Sequence, residues 1–190
     1  LSLVGSEMCI RDRTKQSIKK APAVVTVVTA EDIKATGAAN LVDILETVPG
    51  VYVRYSAFAN RPLVHFRGAN ATQTLLMVNG ARIKDLMWGF GIYWKGLPAS
   101  VIERVEIIRG PGSALFGADA SAGVINVITK TASKIEVTEF GMRASSFHTG
   151  NGWMQHEWNG NGFDINMTAD VYMTEGHAPL IENDGQTAQD

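Results

Sequence analysis

One cysteine, Cys9, stands in a chain of 190 residues, so the chain can form neither an internal disulfide nor a multi-cysteine metal site. Charge is also scarce. Charged residues make up 19%, and the formal net charge of −2 leaves no basic excess for a nucleic-acid face. The four histidines, His65, His148, His156 and His177, are scattered, without HExxH or comparable ligand spacing. No apolar run reaches the ~18 residues of a membrane helix. That excludes a helical span but not a β-barrel, whose strands are short and alternate in polarity. No basic-then-apolar secretion signal with a small-residue cleavage site opens the chain. The first residues, "LSLVGSEMCIRDR", resemble a translated sequencing-adapter read-through, so residues 1–13 are read as a non-native leader. The polar ending "GHAPLIENDGQTAQD" carries no terminal element, and the chain is expected to be a piece of a longer protein.

What remains is 45% hydrophobic, as in a globular chain. "AVVTVVT", Ala23 to Thr29, is rich in β-branched residues and predicts a strand. Thr29 can cap a helix that carries Glu31 and Asp32 in its first turn and ends at Gly37. A second helix sets Leu41, Ile44, Leu45 and Val48 on one face and stops at Pro49-Gly50. A strand starts at Val51, and two more, "LVHFRG" and "TQTLLMVNGARI", follow; Asn79-Gly80 marks a tight hairpin turn. "KDLMWGFGIYWKGLP" reads as a long loop whose Trp88, Phe90, Tyr93 and Trp94 are expected to pack against something. "SVIERVEIIRG" predicts a turn of helix and a strand, then a short helix near "GSALFGA" and a last strand, "GVINVITK". Short helices and strands without a strict βαβ repeat predict an α+β domain over residues 14–130.

After Lys130 the texture changes. Odd positions from Phe163 to Met173 are all apolar, a period of two over a length that crosses a tilted bilayer. "NGNG" at 159–162 predicts a hairpin turn after the strand-like "GWMQHEW", and "KIEVTEFGMRASSF" is a weaker strand whose alternation slips near Glu139. Pattern alone fits equally an ordinary amphipathic sheet.

The stretch "VEIIRGPGSALFGADASAGVINVITK" has glycines spaced like a phosphate-binding loop, yet Gly117 is followed by Ala118-Asp119, with no lysine. A dinucleotide fingerprint fails too, because its third glycine would fall at Leu115 and Pro111 removes a backbone N–H. Gly110, Pro111, Gly117 and Gly123 instead predict a tight small-residue reversal between strands at 104–109 and 123–129.

"PASVIERVEIIRGPGSALFGADASAGVINVITK" resembles the segment closing the plug domain of TonB-dependent outer-membrane receptors. "APAVVTVVTAEDI", "LVDILETVPGVYV", "VHFRG" and "LLMVNGARI" extend the resemblance, in order, over about residues 21 to 130. It implies a plug domain with a small mixed sheet and short helices over 14–130. The start of an antiparallel transmembrane β-barrel, truncated, would follow over 131–190, with a short turn at 159–162 and longer polar segments at 148–152 and from 176. It further implies an outer-membrane location in a Gram-negative bacterium and uptake of an iron chelate (siderophore or haem) or cobalamin. The partner would be TonB with its inner-membrane complex. No catalytic residue, cofactor or metal is expected.

On the same resemblance, Arg67 and Arg109 match plug arginines that pair with barrel glutamates, while Glu103 and Glu106 hold neighbouring basic groups. The ligand-facing candidates are Arg54, Tyr55, Phe58, Arg61, Lys84, Trp88, Phe90, Tyr93 and Trp94: aromatics for stacking area and cations for an anionic chelate. The family's TonB-recognition segment has no assignable counterpart upstream of Thr14. A free-standing periplasmic plug-like binding module is the main alternative. A signal-transducing receptor comes next, and an enzyme last, since no nucleophile–base pair stands out.

Overall fold

A computed structural model describes residues 7–8, 16–17, 24–56, 61–91, 97–110, 112–131, 138–160 and 163–176. The first ladder is minimal: β1 (Glu7–Met8) pairs antiparallel with β2 (Gln16–Ser17), so part of the segment read as a leader meets the residues after it. The chain divides into two units, Leu1–Thr131 and Ala132–Asp190.

In the first unit the β-branched run forms β3 (Val24–Thr29). Thr29 then caps α1 (Ala30–Thr36). Its hydroxyl accepts from the Asp32 N–H at 3.2 Å, and the Asp32 carboxylate accepts the Thr29 N–H at 3.0 Å. The Thr29 N–H, and the Thr29 hydroxyl that also donates to the Asp32 carboxylate at 2.8 Å, hold the Asp32 carboxyl below its ordinary range. Gly37, left-handed at φ 69°, ends the helix. Asn40 caps α2 (Leu41–Glu46), accepting from the Val42 and Asp43 N–H groups, and the buried face is Leu41, Val42, Ile44 and Leu45. β4 (Val51–Tyr55) and β5 (Pro62–Phe66) form a separate antiparallel pair. β6 (Thr74–Val78) turns into β7 (Ala81–Arg82) through Asn79 and Gly80, both at positive φ, the geometry that right-twisted hairpins prefer.

β8 (Ile102–Arg109), the short α3 (Ser113–Phe116) and β9 (Gly123–Thr129) complete a five-stranded sheet of order β3-β8-β9-β6-β7. All neighbours run antiparallel except β9 and β6, which are parallel. Both faces of the central strands are covered, so these strands read as nearly continuous apolar runs. On one face Val105, Ile107, Ile125, Val127 and Leu76 pack with α1, α2, Val64 and Phe66. On the other, Ile108, Val124, Leu75 and Met77 pack with Phe116 and Ala120 of the glycine-rich segment.

That second face also buries Glu106 and Asn126, opposite each other in register. Both are satisfied. Glu106 accepts from Arg104 Nε at 2.9 Å and from Asn126 Nδ2 at 3.1 Å, while Asn126 Oδ1 accepts the Gly80 N–H at 3.2 Å. The network ties the sheet centre to the β6–β7 turn. Asn79 adds a second tie, through its side chain to the Thr129 hydroxyl at 2.8 Å and N–H at 2.9 Å.

The second unit is a three-stranded antiparallel sheet: β10 (Glu139–Ser145), β11 (Thr149–Gly160) and β12 (Phe163–Met173). Register puts Phe140, Met142, Met154, Trp158, Phe163, Ile165, Met167, Val171 and Met173 on one face, all exposed. The other face carries Arg143, Asn151, Gln155, Glu157, Asn166, Thr168 and Asp170. Trp158 and Phe163 meet edge to face at 6.0 Å beside the Gly160↔Phe163 turn. Gly141 lies under Trp153, where a Cβ would come within 2.6 Å of the indole.

Two expectations are corrected. The polar segment at 148–152 is no loop: Thr149 onward lies in β11, and only residues 146–148 connect β10 to β11, with Phe147 and His148 at positive φ. Asn151 explains the difference, since its amide bonds Asp170 at 3.0 Å and the Val171 carbonyl at 3.0 Å, satisfying a polar side chain on the polar face. The second correction concerns Trp88, expected to be packed, which is 55% exposed, while Phe90 is half-buried.

Candidate functional site

The glycine-rich segment closes on itself. Gly110 N–H bonds the Ala122 carbonyl at 3.1 Å, Gly112 N–H the Ala120 carbonyl at 2.9 Å, Phe116 N–H the Gly112 carbonyl at 2.9 Å, and Ala120 N–H the Gly117 carbonyl at 3.0 Å. Amides spent this way are not aimed at a phosphate. Gly110 (φ 132°) and Gly117 (φ 85°) hold backbone that side chains rarely adopt. Gly123 serves a different need: a Cβ there would lie 2.7 Å from the Ile108 carbonyl and 2.8 Å from the Phe66 ring. The reversal expected from the sequence is present, with β8 and β9 adjacent and antiparallel. Pro111 lies outside the described residues.

Arg67 and Arg109 converge on one turn. The Arg67 N–H reaches the Gly50 carbonyl at 3.4 Å, and Arg109 Nη1 donates to the Pro49 carbonyl at 2.7 Å. Arg109 Nη2 donates to the Thr26 hydroxyl, while its Nε is sheltered from solvent without a partner. Arg109 therefore staples the end of β8 to β3 and to the turn after α2. The Arg67 side chain is exposed, on a backbone at φ 47°. Glu103 and Glu106 both hold Arg104, at 3.0 and 2.9 Å.

Four of the ligand-facing candidates gather around residues 84–91. Asp85 organises them. Its Oδ1 accepts the Met87 and Trp88 N–H groups at 2.9 and 2.8 Å, its carbonyl accepts the Gly89 N–H at 2.9 Å, and its N–H bonds the Phe90 carbonyl at 2.9 Å. Arg61 pairs with Asp85 Oδ2 at 3.3 Å. The Trp88 N–H bond is the main cause holding the Asp85 carboxyl below its ordinary range, with Met87 and Arg61 adding to it. Lys84 pairs with Asp119 at 2.9 Å, and Arg82 donates to the Phe116 carbonyl, so this edge is clamped to the glycine-rich segment. Leu86, Met87 and Trp88 project from the turn, 100%, 82% and 55% exposed.

The other candidates stand apart. Arg54 and Tyr55 are exposed on β4, and the Tyr55 hydroxyl donates to Glu46 at 3.5 Å. Burial, then the nearby Glu46 and Asp43 charges, push the Tyr55 phenol above its ordinary range. Phe58, Tyr93 and Trp94 lie outside the described residues. Sequence reading missed Asp85, Leu86, Met87 and Asp119. An aspartate accepting from N–H groups two and three positions on is the sequence signal that could have found the turn. Among the described residues no cluster of three or more His, Cys, Asp or Glu could hold a metal ion. No helix among them is long and apolar enough to cross a membrane.

Known proteins share this architecture. The alcaligin outer-membrane receptor FauA from Bordetella pertussis superposes with a TM-score of 0.71 at 21% identity, over 85% of this chain and 28% of that one. A variant of the ferric enterobactin receptor PfeA from Pseudomonas aeruginosa, in complex with enterobactin, gives 0.58 at 26% identity, over 82% of this chain and 25% of that one. The Vitamin B12 transporter BtuB of Vibrio vulnificus is 40% identical over 136 residues, 71% of this chain. This chain spans only 22% of that relative's length. The family model for the TonB-dependent Receptor Plug Domain matches residues 17–124. With more than half its length matched, the chain belongs to the TonB-dependent receptors, as a plug domain followed by antiparallel barrel strands that do not close.

Proposed function

We propose that this chain is the plug and opening barrel strands of an outer-membrane receptor that imports cobalamin by TonB-coupled transport. One observation carries the membrane part of that reading. The described residues of unit Ala132–Asp190 form a sheet with one exposed face that is apolar apart from His156, and one mainly polar face, eleven residues long at β12. A sheet of that kind suits a barrel wall between lipid and a watery lumen. A free-standing soluble module would leave that face open to water, a large apolar patch that such proteins rarely tolerate. The plug would occupy the lumen, face the periplasm and receive the pull of TonB and its inner-membrane complex. No covalent chemistry is required of this chain.

Cobalamin is favoured over an iron chelate on two grounds. Relatives named as vitamin B12 transporters are 40% and 38% identical over the matched residues. Within the plug, Arg61 and Lys84 are already neutralised by Asp85 and Asp119, which leaves less free positive charge for an anionic siderophore. An iron chelate, siderophore or haem, is the second reading, supported by the fold shared with siderophore receptors. Arg67 and Arg109 remain candidates for pairing with barrel carboxylates, Arg67 through its exposed side chain.

Equilibrium binding to the full-length receptor, purified from outer membranes, tests the substrate. Saturable cyanocobalamin binding with no ferric siderophore competition is expected. Saturation by a ferric siderophore and not by cyanocobalamin would reverse the assignment.

A further inference from the structure

Three consecutive large apolar side chains in water are costly unless something covers them. Leu86, Met87 and Trp88 are held that way by a turn with little freedom to fold them inward. One aspartate accepts two successive N–H groups, and the chain ends on either side of it are bonded, Gly89 to Asp85 and Asp85 to Phe90. The cations bordering the turn are occupied: Arg61 by Asp85, Lys84 by Asp119, and Arg82 by the Phe116 carbonyl. What the turn offers is rigid apolar area without free positive charge.

We infer that Asp85 is a positioning residue for uptake, holding Leu86, Met87 and Trp88 as a preorganised platform for an uncharged, apolar-faced nutrient. The inference rests on the uptake reading above and adds to it the residues that present the ligand surface and the one that sets their geometry. Preorganisation matters because ordering a loop at the moment of binding costs affinity; a turn already fixed avoids that loss. Leu86 and Met87 supply area, and Trp88 supplies a flat indole for stacking. Asp85 would touch no ligand. It acts through the two amides it accepts.

The test uses the full-length receptor with cyanocobalamin, ferric enterobactin and haemin as probes. The variants are Asp85→Ala, Asp85→Asn, Leu86→Ser and Trp88→Ala. An asparagine keeps an oxygen acceptor for the Met87 and Trp88 amides and loses only the charge paired with Arg61. Wild type and Asp85→Asn should therefore bind alike, within about threefold, while the other three lose roughly tenfold or more, about 1.4 kcal/mol. Amide exchange at Met87 and Trp88 in the ligand-free receptor should rise in Asp85→Ala and not in Asp85→Asn, showing that the turn and not the whole plug has loosened.

The same pattern with ferric enterobactin or haemin, both anionic, in place of cyanocobalamin would overturn the uncharged occupant and reject cobalamin as the substrate. Unchanged affinity in Asp85→Ala, despite faster exchange at both amides, would overturn the inference. So would an Asp85→Asn loss as large as that of Asp85→Ala, since charge and not amide acceptance would then be at work. A wild type that binds none of the three probes would also overturn it.

Discussion

Gly123 opens the central strand β9 at the point where sheet, Phe66 and the end of β8 come together. An added Cβ would stand 2.7 Å from the Ile108 carbonyl oxygen and 2.8 Å from two Phe66 ring carbons. Neither neighbour can yield cheaply. The carbonyl belongs to the paired backbone of β8, and Phe66 is 2% exposed, packed in the main core. The Gly123→Ala variant must therefore lift β9 from β8 or displace Phe66, and overpacking of that kind costs about 1–3 kcal/mol. A backbone contact puts the expectation in the upper half, about 2–3 kcal/mol, or roughly 30- to 150-fold in the opening equilibrium. Native-state hydrogen exchange of the β8 and β9 amides in the full-length receptor reads that change directly. Gly112→Ala is the internal comparison. Its Cβ would meet Val124 and Phe116 side chains at 3.2 and 3.3 Å, which can shift by tenths of an ångström. It should cost roughly 1 kcal/mol or less. Equal exchange rates in Gly123→Ala and wild type would refute the argument that close approach, and not turn geometry alone, fixes glycine at 123.

Asn126→Ala removes a donor to buried Glu106 and the acceptor of the Gly80 N–H, and should destabilise the plug by about 1–3 kcal/mol. Chemical denaturation followed at the β6–β7 hairpin would check it, and a loss confined to β9 would contradict the link. Met167→Arg places a cation in the middle of the apolar face of β12, and should weaken insertion into bilayers by about 2–4 kcal/mol; Thr168→Arg, on the polar face, should be tolerated. Folding titrations into lipid vesicles would separate the two. Asp85 has its carboxyl held below the ordinary 3.8, so the extra hold its charge gives the turn is complete above that value and fades as pH falls through the depressed one. A protonated carboxyl keeps an oxygen acceptor, as asparagine does, so exchange at Met87 and Trp88, corrected for the intrinsic rate, should stay near the level of Asp85→Asn below pH 3.8 and far under that of Asp85→Ala; an acid-side rise as large as that of Asp85→Ala would count against amide acceptance as the clasp.

Elements whose periodicity or caps are written locally are legible in the sequence. Thr29 with Asp32, Asn79 with Gly80, and the period of two from Phe163 to Met173 each name an element by themselves, and each is present. The parallel pairing of β6 with β9 was not legible, because nothing local states which strand a buried apolar run will meet. The same limit hid the site. Arg61 and Lys84 look like free cations in a sequence, and only the fold brings Asp85 and Asp119 against them. Arg109 resembles a barrel-pairing residue, and the sequence alone does not reveal the two further partners that folding gives it inside the plug. Residues 148–152 read as a polar segment between strands, yet the register of β10 and β12 on either side holds Thr149 onward extended.

The most direct test of the account is uptake of labelled cyanocobalamin by Gram-negative cells that lack their own cobalamin receptor and carry the full-length gene. Accumulation above the external concentration, abolished when TonB is deleted while surface binding persists, is the predicted result. Uptake that is absent, or that continues undiminished without TonB, would contradict it.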